Sequence, residues 1–425
     1  MDGSQWYLNN DGRLGGVVGA DINAETAWGI FTGSPNIKIA IMDQGIDLNH
    51  HEFNGRVSGD AHSGNNHGTL VAGVAAANAM NGEGIRGVDW SAQIISKKVS
   101  KSNGSWLGDN TVAQKITDVV AEGAIIINCS WSFPNTVSHT LRMAFNHAYQ
   151  MDRVVVATMG NTYDTQTRYP GGYRSVIAVG ATQNNDLRSP FSTMGQHIDV
   201  VAPGGVNDVY ANPRNILTTT NGGGYSFTAG TSFAAPLVSG LASLLKGFNN
   251  NLTNDDIRQI IRLTADDRGA PGFDPEYGYG RINAGNALNF INEPNEVVHG
   301  ISYGGSSTKT TLSSWNYIGS NWGLAAGIYH NVDRYKVTKR INFEVPFCSP
   351  PVVWMRERQS VCLNSDSPNH GYPDAEITNV TETGFDVTYY TYYVRTSQSG
   401  ATINRWVPAT VSNSKVAYTA VGELN

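Results

Sequence analysis

Short unbroken runs of Ile and Val punctuate the first two thirds of the chain, and most are closed by Gly, Asp or Ser. They are IKIAIMD (37–43), QIISKKVS (93–100), AIIINCS (124–130), VVVATMG (154–160), VIAVGA (176–181) and IDVVAPG (198–204). Apolar runs of this length without alternation describe strands covered on both faces. Between several of them lie segments of helical pattern, such as VAGVAAANA (71–79) and NTVAQKITDVVAEG (110–123). Strand–helix alternation predicts an α/β fold, a doubly wound and mostly parallel sheet with helices on both sides. In such sheets the reactive residues gather at the carboxyl ends of the strands.

The pattern changes after Asn292. The stretch NEPNEVVHGISYGGSSTKT is polar and carries Gly and Ser, and it reads as a boundary. Beyond it period-two alternation takes over, in INFEVPF (341–347), GFDVTYYTYYVRT (384–396) and KVAYTAVG (415–422). The expectation is an α/β domain over 1–292, a linker over 293–310, and an all-β sandwich over 311–425. Trp315, Trp322, Trp354 and Trp406 fall in this last part. Aromatics alternating along strands are first read as sandwich core, with a sugar-binding platform as the alternative.

With 40% hydrophobic and 15% charged residues among 425, the chain can bury large cores. A formal charge of −6 argues against nucleic acid or an anionic membrane as partner. No run reaches the length of a membrane span, since Ala235–Phe248 is broken by Ser, Gly and Lys. The opening MDGSQWYLNN lacks the basic-then-apolar pattern of a secretory leader, so the chain is expected to be cytosolic, or a mature form that has lost its leader or was built without one. Cys129 sits alone in an apolar strand and reads as core; Cys348 and Cys362 lie close enough in sequence to leave pairing open.

Three polar residues stand out by context. Asp43 closes the strand IKIAIM, His67 opens HGTLVAGVAAA, and Ser232 opens the small-residue helix of AGTSFAAPLVSG. Taken singly they are a turn residue, a surface histidine and a helix cap. Together they supply what a serine nucleophile needs: an imidazole to take its proton and a carboxylate to hold that imidazole. A helix N-terminus behind Ser232 adds backbone N–H groups for a developing oxyanion. Pro236 is expected near the first turn, where proline costs little.

IAIMDQGIDLNHHEF, NNHGTLVAGVAAA and GTSFAAPLVSG, in that order, resemble the Asp, His and Ser boxes of the subtilisin-like serine proteases, the subtilases. The resemblance runs from about Gln5 to Asn289 and includes the flanks QWYLNN and YGYGRINAGNAL. It implies a serine endopeptidase with Ser232 as nucleophile, His67 as general base and then acid, Asp43 as orienter, and Asn161 as oxyanion donor. It further implies that peptide lies as an added strand between two edges. One edge is Asn103, Gly104, Ser105 and Trp106, the other Ser130, Trp131 and Ser132; Gly160, Arg168 and Thr231 complete the substrate-lining set.

Two departures from the family pattern concern the pocket before the scissile bond. SWSF stands where the family usually has Ser-x-Gly-Gly, so Ser132 and Phe133 replace glycines and are expected to narrow the pocket. Arg168 stands where the family usually has a small residue. Three readings of it are open: it shortens the pocket, it favours an acidic substrate side chain, or it reaches out to solvent.

Calcium is the cofactor the resemblance implies. Its ligands would be Glu52, nine residues after Asp43, the Asn81 side chain, and carbonyls of Asn78, Glu83 and Ile85, with a merely solvated loop as the alternative. Zinc is disfavoured, because HHEF around His50 and His51 lacks the HExxH spacing and His62 adds no second ligand pair. The partner is a peptide or protein substrate, the family implies secretion, and the C-terminal part loosely resembles H-type lectin-like sandwiches. That leaves a carbohydrate or surface ligand, or a structural cap, as its role. Two other functions fit the same residues: a surface-binding protein with an inactive protease fold, and a peptide ligase that resolves the acyl-enzyme with an amine.

Overall fold

The structure, a computed structural model, describes residues 4–134, 137–207 and 211–292, and from residue 296 onward the backbone of eight strands. The chain divides into two compact units, Met1–Glu293 and Pro294–Asn425.

Among the described residues, the strands of the first unit are β1 (Lys38–Asp43), β2 (Val57–Gly59), β3 (Gln93–Lys98), β4 (Ile126–Cys129), β5 (Phe133–Pro134), β6 (Val154–Thr158), β7 (Arg168–Tyr169), β8 (Val176–Thr182), β9 (Val200–Pro203), β10 (Ile216–Thr220) and β11 (Gly224–Thr228). The helices are α1 (Ala24–Trp28), α2 (His67–Ala76), α3 (Asp109–Ala121), α4 (His139–Gln150), α5 (Thr231–Phe248), α6 (Asn254–Leu263) and α7 (Ala284–Asn292). Seven strands form one sheet in the order β2-β3-β1-β4-β6-β8-β9, with every neighbouring pair parallel. β10 and β11 make an antiparallel hairpin, and β5 pairs antiparallel with β7. This is the doubly wound sheet expected from the apolar runs.

The strand order reverses at β1. β2 and β3 lie to one side of it, and β4, β6, β8 and β9 to the other. Such a switch point leaves a crevice at the carboxyl ends of the strands, and Asp43 is the last residue of β1.

Strand parity decides which side chains can enter that crevice. Ala40 and Met42 of β1, Ile127 and Cys129 of β4, and Val155 and Ala157 of β6 share one core with α3 and α4. The alternate positions, among them Asp43, Asn128 and Thr158, therefore face the other side, where α2 and α5 pack on each other and on the strands. Cys129 is fully buried and unpaired, as expected, and burial pushes its thiol well above the usual range.

α5 is buried from Thr231 through Lys246. A helix that is apolar or small all round must be enclosed on every side, and SFAAPLVSGLASLL meets that condition. Pro236 lies inside this helix rather than in its first turn. Lacking an N–H, it leaves the Ser232 carbonyl, four residues back, without its helical partner. The Ser130 hydroxyl donates to that carbonyl at 2.8 Å instead.

In the second unit the strands are β12 (Glu296–Tyr303), β13 (Asn316–Ala325), β14 (Ile328–Asn342), β15 (Val352–Arg358), β16 (Ala375–Thr381), β17 (Gly384–Gln398), β18 (Ala401–Arg405) and β19 (Lys415–Gly422). They form two antiparallel sheets, β12-β19-β15 and β13-β14-β17-β16, with β18 also on β17. The expected linker is corrected here: eight of its residues are β12, paired along their length with β19. Its Val, Ile and Tyr positions outweigh the Gly and Ser that suggested a boundary. Of INFEVPF only Ile341 and Asn342 belong to a described strand, the end of β14. Cys348, Cys362, Trp315 and Trp406 lie outside the described residues, as do the side chains of Trp322 and Trp354.

Candidate active site

Asp43 ends β1 almost wholly buried, and its carboxylate meets the imidazole of His67 at the start of α2. The His67 Nδ1–H donates to Asp43 Oδ1 at 2.8 Å and Oδ2 at 3.0 Å. The Gln44 N–H also donates to Oδ1, at 2.9 Å. α2 can begin this close to β1 because residue 68 is glycine. A Cβ there would lie 2.3 Å from the Gly45 carbonyl oxygen and 3.4 Å from Asp43 Cβ. The Asn65 side chain accepts the His67 backbone N–H at 2.9 Å and caps the turn. Phe233 packs on the imidazole with ring centroids 5.7 Å apart.

Burial opposes a positive charge on His67. The Asp43 charge and its hydrogen bond together outweigh that cost, and the imidazole is held above its ordinary value of 6.5. The side chain keeps 30% of its surface exposed, enough to meet a substrate.

Ser232 lies one residue inside α5. Its Oγ donates to the Ser130 carbonyl at 3.2 Å, reciprocating the bond by which Ser130 takes up the Ser232 carbonyl. Asn128 Nδ2 in turn donates to Ser130 Oγ at 2.9 Å, and Ser239 Oγ donates to Asn128 Oδ1 at 2.9 Å. A polar ladder thus ties β4 to α5. In this resting arrangement the hydroxyl turns to Ser130 rather than to His67, a looseness common before substrate binds. Ser232, His67 and Asn161 line one cleft of about 530 Å³, together with Phe233, Thr220 and Ser226.

Asn161 follows β6 and is fixed by α5. Its Oδ1 accepts the Thr231 N–H at 2.9 Å and the Thr231 Oγ–H at 2.7 Å. A backbone N–H can only donate, so the oxygen must face Thr231 and the Nδ2 group must point away from it. Thr231 itself is fully buried. That corrects its expected place in the substrate lining: it holds Asn161 and does not face the cleft.

The other expected substrate residues divide. Gly160, Ser132 and Arg168 come together, for a Cβ at Gly160 would lie 2.4 Å from Arg168 Cδ and 3.1 Å from Ser132 Oγ, at a φ of +97°. β5 pairs Phe133 with Tyr169 and Pro134 with Arg168, which joins SWSF to this wall. Arg168 does not reach solvent. It is 7% exposed, and its Nη2 donates to Thr162 Oγ at 2.5 Å and Asp164 at 3.0 Å. Trp131 donates its indole N–H to the Met42 carbonyl at 2.9 Å and packs on Trp106 at 4.8 Å. Ser130 is taken up by the ladder to α5. Asn103, Gly104 and Ser105 form an exposed turn closed by Ser105 and Lys101 backbones, and Trp106 leads out of it through a bridge to Ser100.

A model of the subtilase family matches residues 34–280, a segment that encloses Asp43, His67, Asn161 and Ser232. The chain belongs to the subtilase family. It is 38% identical over 274 residues to a thermophilic serine proteinase of Bacillus sp. (strain AK1), a span of 62% of this chain and 64% of that protein. Thermitase of Thermoactinomyces vulgaris is 37% identical over 281 residues, 63% of this chain and 94% of thermitase. A halolysin-like extracellular serine protease of Natrialba magadii is 33% identical over 280 residues, 62% of this chain and 49% of that protein. Among solved structures, a protease from Pseudoalteromonas arctica PAMC 21717 aligns with a TM-score of 0.60 at 27% identity, over 67% of this chain and 96% of that one.

Of the residues expected to bind calcium, the Glu52 and Asn81 side chains are engaged within the chain in this structure. Glu52 is fully buried, but its oxygens are already taken by donors. Oε1 accepts from the Ile85 N–H at 2.8 Å and the Tyr225 hydroxyl at 2.6 Å, and Oε2 accepts from Asn81 Nδ2 at 2.9 Å. Asn78 Oδ1 accepts the Met80 N–H at 2.9 Å, and Asn81 Oδ1 faces the Glu83 N–H. N–H and O–H groups aimed at a carboxylate satisfy its charge where a cation would otherwise do so. Burial, with the hydrogen bond and charge of Glu52, raises the Tyr225 phenol. Among the described residues no group of three His, Cys, Asp or Glu side chains could hold a metal ion.

The acid limb of kcat/KM against pH is expected above 6.5, because His67 must lose its proton to act as a base. Asp43→Asn should move that limb down and cut kcat roughly 10⁴-fold. A wild-type limb at or below 6.5 would contradict the pairing. Chelation by EDTA should leave the Tm in place, while Tyr225→Phe should cost about 1.5–3 kcal/mol of stability, the worth of a hydrogen bond to a charged group. A Tm that falls on chelation and is restored by Ca²⁺ only when Glu52 is present would overturn the hydrogen-bonded account.

Proposed function

We propose that this chain is a serine endopeptidase that cleaves peptide bonds through an acyl-enzyme on Ser232. The observation that carries this reading is the Asp43–His67 pair beside the N-terminus of α5. As Ser232 Oγ attacks the scissile carbonyl, His67 Nε2 takes its proton, and Asp43 stabilises the imidazolium that forms. The tetrahedral oxyanion is received by the Ser232 N–H and by Asn161 Nδ2. Loss of the asparagine donor costs roughly 100- to 1,000-fold in turnover, a magnitude that comes from subtilisin rather than from this chain. The imidazolium then protonates the leaving amine, and water, deprotonated by the same imidazole, releases the acyl group.

The finer reading concerns what reaches Ser232. Arg168, with its charge paired to Asp164, supports a pocket shortened by a neutralised side chain rather than one that attracts an acidic substrate residue. Ser132 narrows the same wall. Small residues before the scissile bond are the expected preference, with peptide laid along Ser130–Ser132 and Asn103–Trp106. The named extracellular relative supports action outside the cell, and no helix among the described residues is long and apolar enough to cross a membrane.

A fluorophosphonate probe tests the nucleophile: one adduct on Ser232 is expected, absent in Ser232→Ala, and an intact protein that forms none contradicts the proposal. Profiling a peptide library with wild type and Arg168→Gly tests the pocket. The variant should accept bulkier side chains at that subsite by tenfold or more; an unchanged preference, or a lost preference for Asp and Glu, would refute the shortened pocket.

A further inference from the structure

Thr158 is the last residue of β6, and no motif marks it. Strand parity turns its side chain away from the α3–α4 core that takes Ala157 and toward the start of α5. It is 2% exposed. Its Oγ accepts the Gly160 N–H at 3.2 Å and shares a short hydrogen bond with the Thr231 hydroxyl.

The direction of every proton in this chain is fixed. Thr231 N–H must donate, so Asn161 presents Oδ1 to it. The Thr231 hydroxyl, facing the same oxygen, must also donate to it. With its one proton spent there, Thr231 can only accept from Thr158, and Thr158 can only accept from Gly160. The result is a one-way relay: Gly160 N–H to Thr158 Oγ–H to Thr231 Oγ–H to Asn161 Oδ1.

Hydrogen bonds in series polarise one another, most strongly where water is excluded. Density drawn toward Oδ1 leaves the Nδ2–H of the same amide a stronger donor, and two bonds on Oδ1 hold the amide plane against rotation. We propose that Thr158, acting through Thr231, is a positioning residue that orients and polarises Asn161 for the developing oxyanion. The inference rests on the reading of Asn161 as oxyanion donor. A threonine that merely satisfies its hydroxyl in the core would influence folding and leave the transition state alone.

The test is steady-state kinetics on a peptide anilide with Thr158→Val, which removes the hydroxyl and keeps the branched shape, and with Thr158→Ser, which restores it. Thr158→Val should lower kcat about three- to tenfold with KM unchanged, a fraction of what the whole Asn161 donor contributes. Affinity for a peptide aldehyde, which forms a tetrahedral adduct, should fall by the same factor, and Thr158→Ser should recover both. In an Asn161→Gly background Thr158→Val should have no further effect on kcat. If Thr158→Val does not fold, Thr231→Val, which keeps the backbone donor, should show the same KM-neutral loss. Unchanged kcat in an active Thr158→Val enzyme, or an equal loss with and without Asn161, overturns the relay alone. A wild type that forms no Ser232 adduct overturns the underlying reading and the relay with it.

Discussion

A helix buried from Thr231 to Lys246 can end in only one place, and the site is built around that end. Its first N–H groups have no helical partners and must find others. Thr231 gives its N–H to Asn161, Phe233 gives its N–H to Gly230, and the Ser232 N–H between them is the donor proposed for the oxyanion. The same helix carries a proline where one costs a hydrogen bond, and the freed Ser232 carbonyl is taken by Ser130. That bond fixes α5 along its axis against the end of β4. Because β1 lies next to β4 in the sheet, Asp43 and His67 are brought to the same edge. Ser232, His67 and Asn161 are therefore placed by one packing constraint rather than by three local ones.

Around this core two charged side chains are neutralised internally. Arg168 is held by Asp164 and Thr162, four and six residues away, and becomes part of a wall. Glu52 is held by Tyr225, Asn81 and the Ile85 N–H. Burying a charge is expensive unless it is paired or hydrogen-bonded, and in both places the partners are supplied by the chain itself.

Much of this was legible in the sequence, because the physics there is local. Unbroken Ile/Val runs placed β1, β4, β6 and β8 to within two residues at each end, and Asp43, His67 and Ser232 stand where strand ends and helix starts put them. What was not legible depends on partners far along the chain. Tyr225 meets Glu52 across 173 residues, and no spacing rule links them. Thr231 reads as a residue beside the nucleophile, yet its hydroxyl turns inward to a threonine 73 residues earlier. Arg168 looked free to reach solvent because Asp164 and Thr162 carry no motif. The expected linker failed for a different reason: Gly and Ser were weighed above a β-forming period that pairs with the last strand of the chain.

The most direct test of the account is a crystal structure of the protein with a peptide boronic acid, whose boron becomes tetrahedral on a nucleophilic oxygen. The account predicts a covalent bond from Ser232 Oγ to boron. One boronate oxygen should lie within hydrogen-bonding distance of both the Ser232 N–H and Asn161 Nδ2, with Asn161 Oδ1 still on Thr231. Boron bound elsewhere, or an Asn161 that has left Thr231 and makes no contact with the adduct, would contradict it.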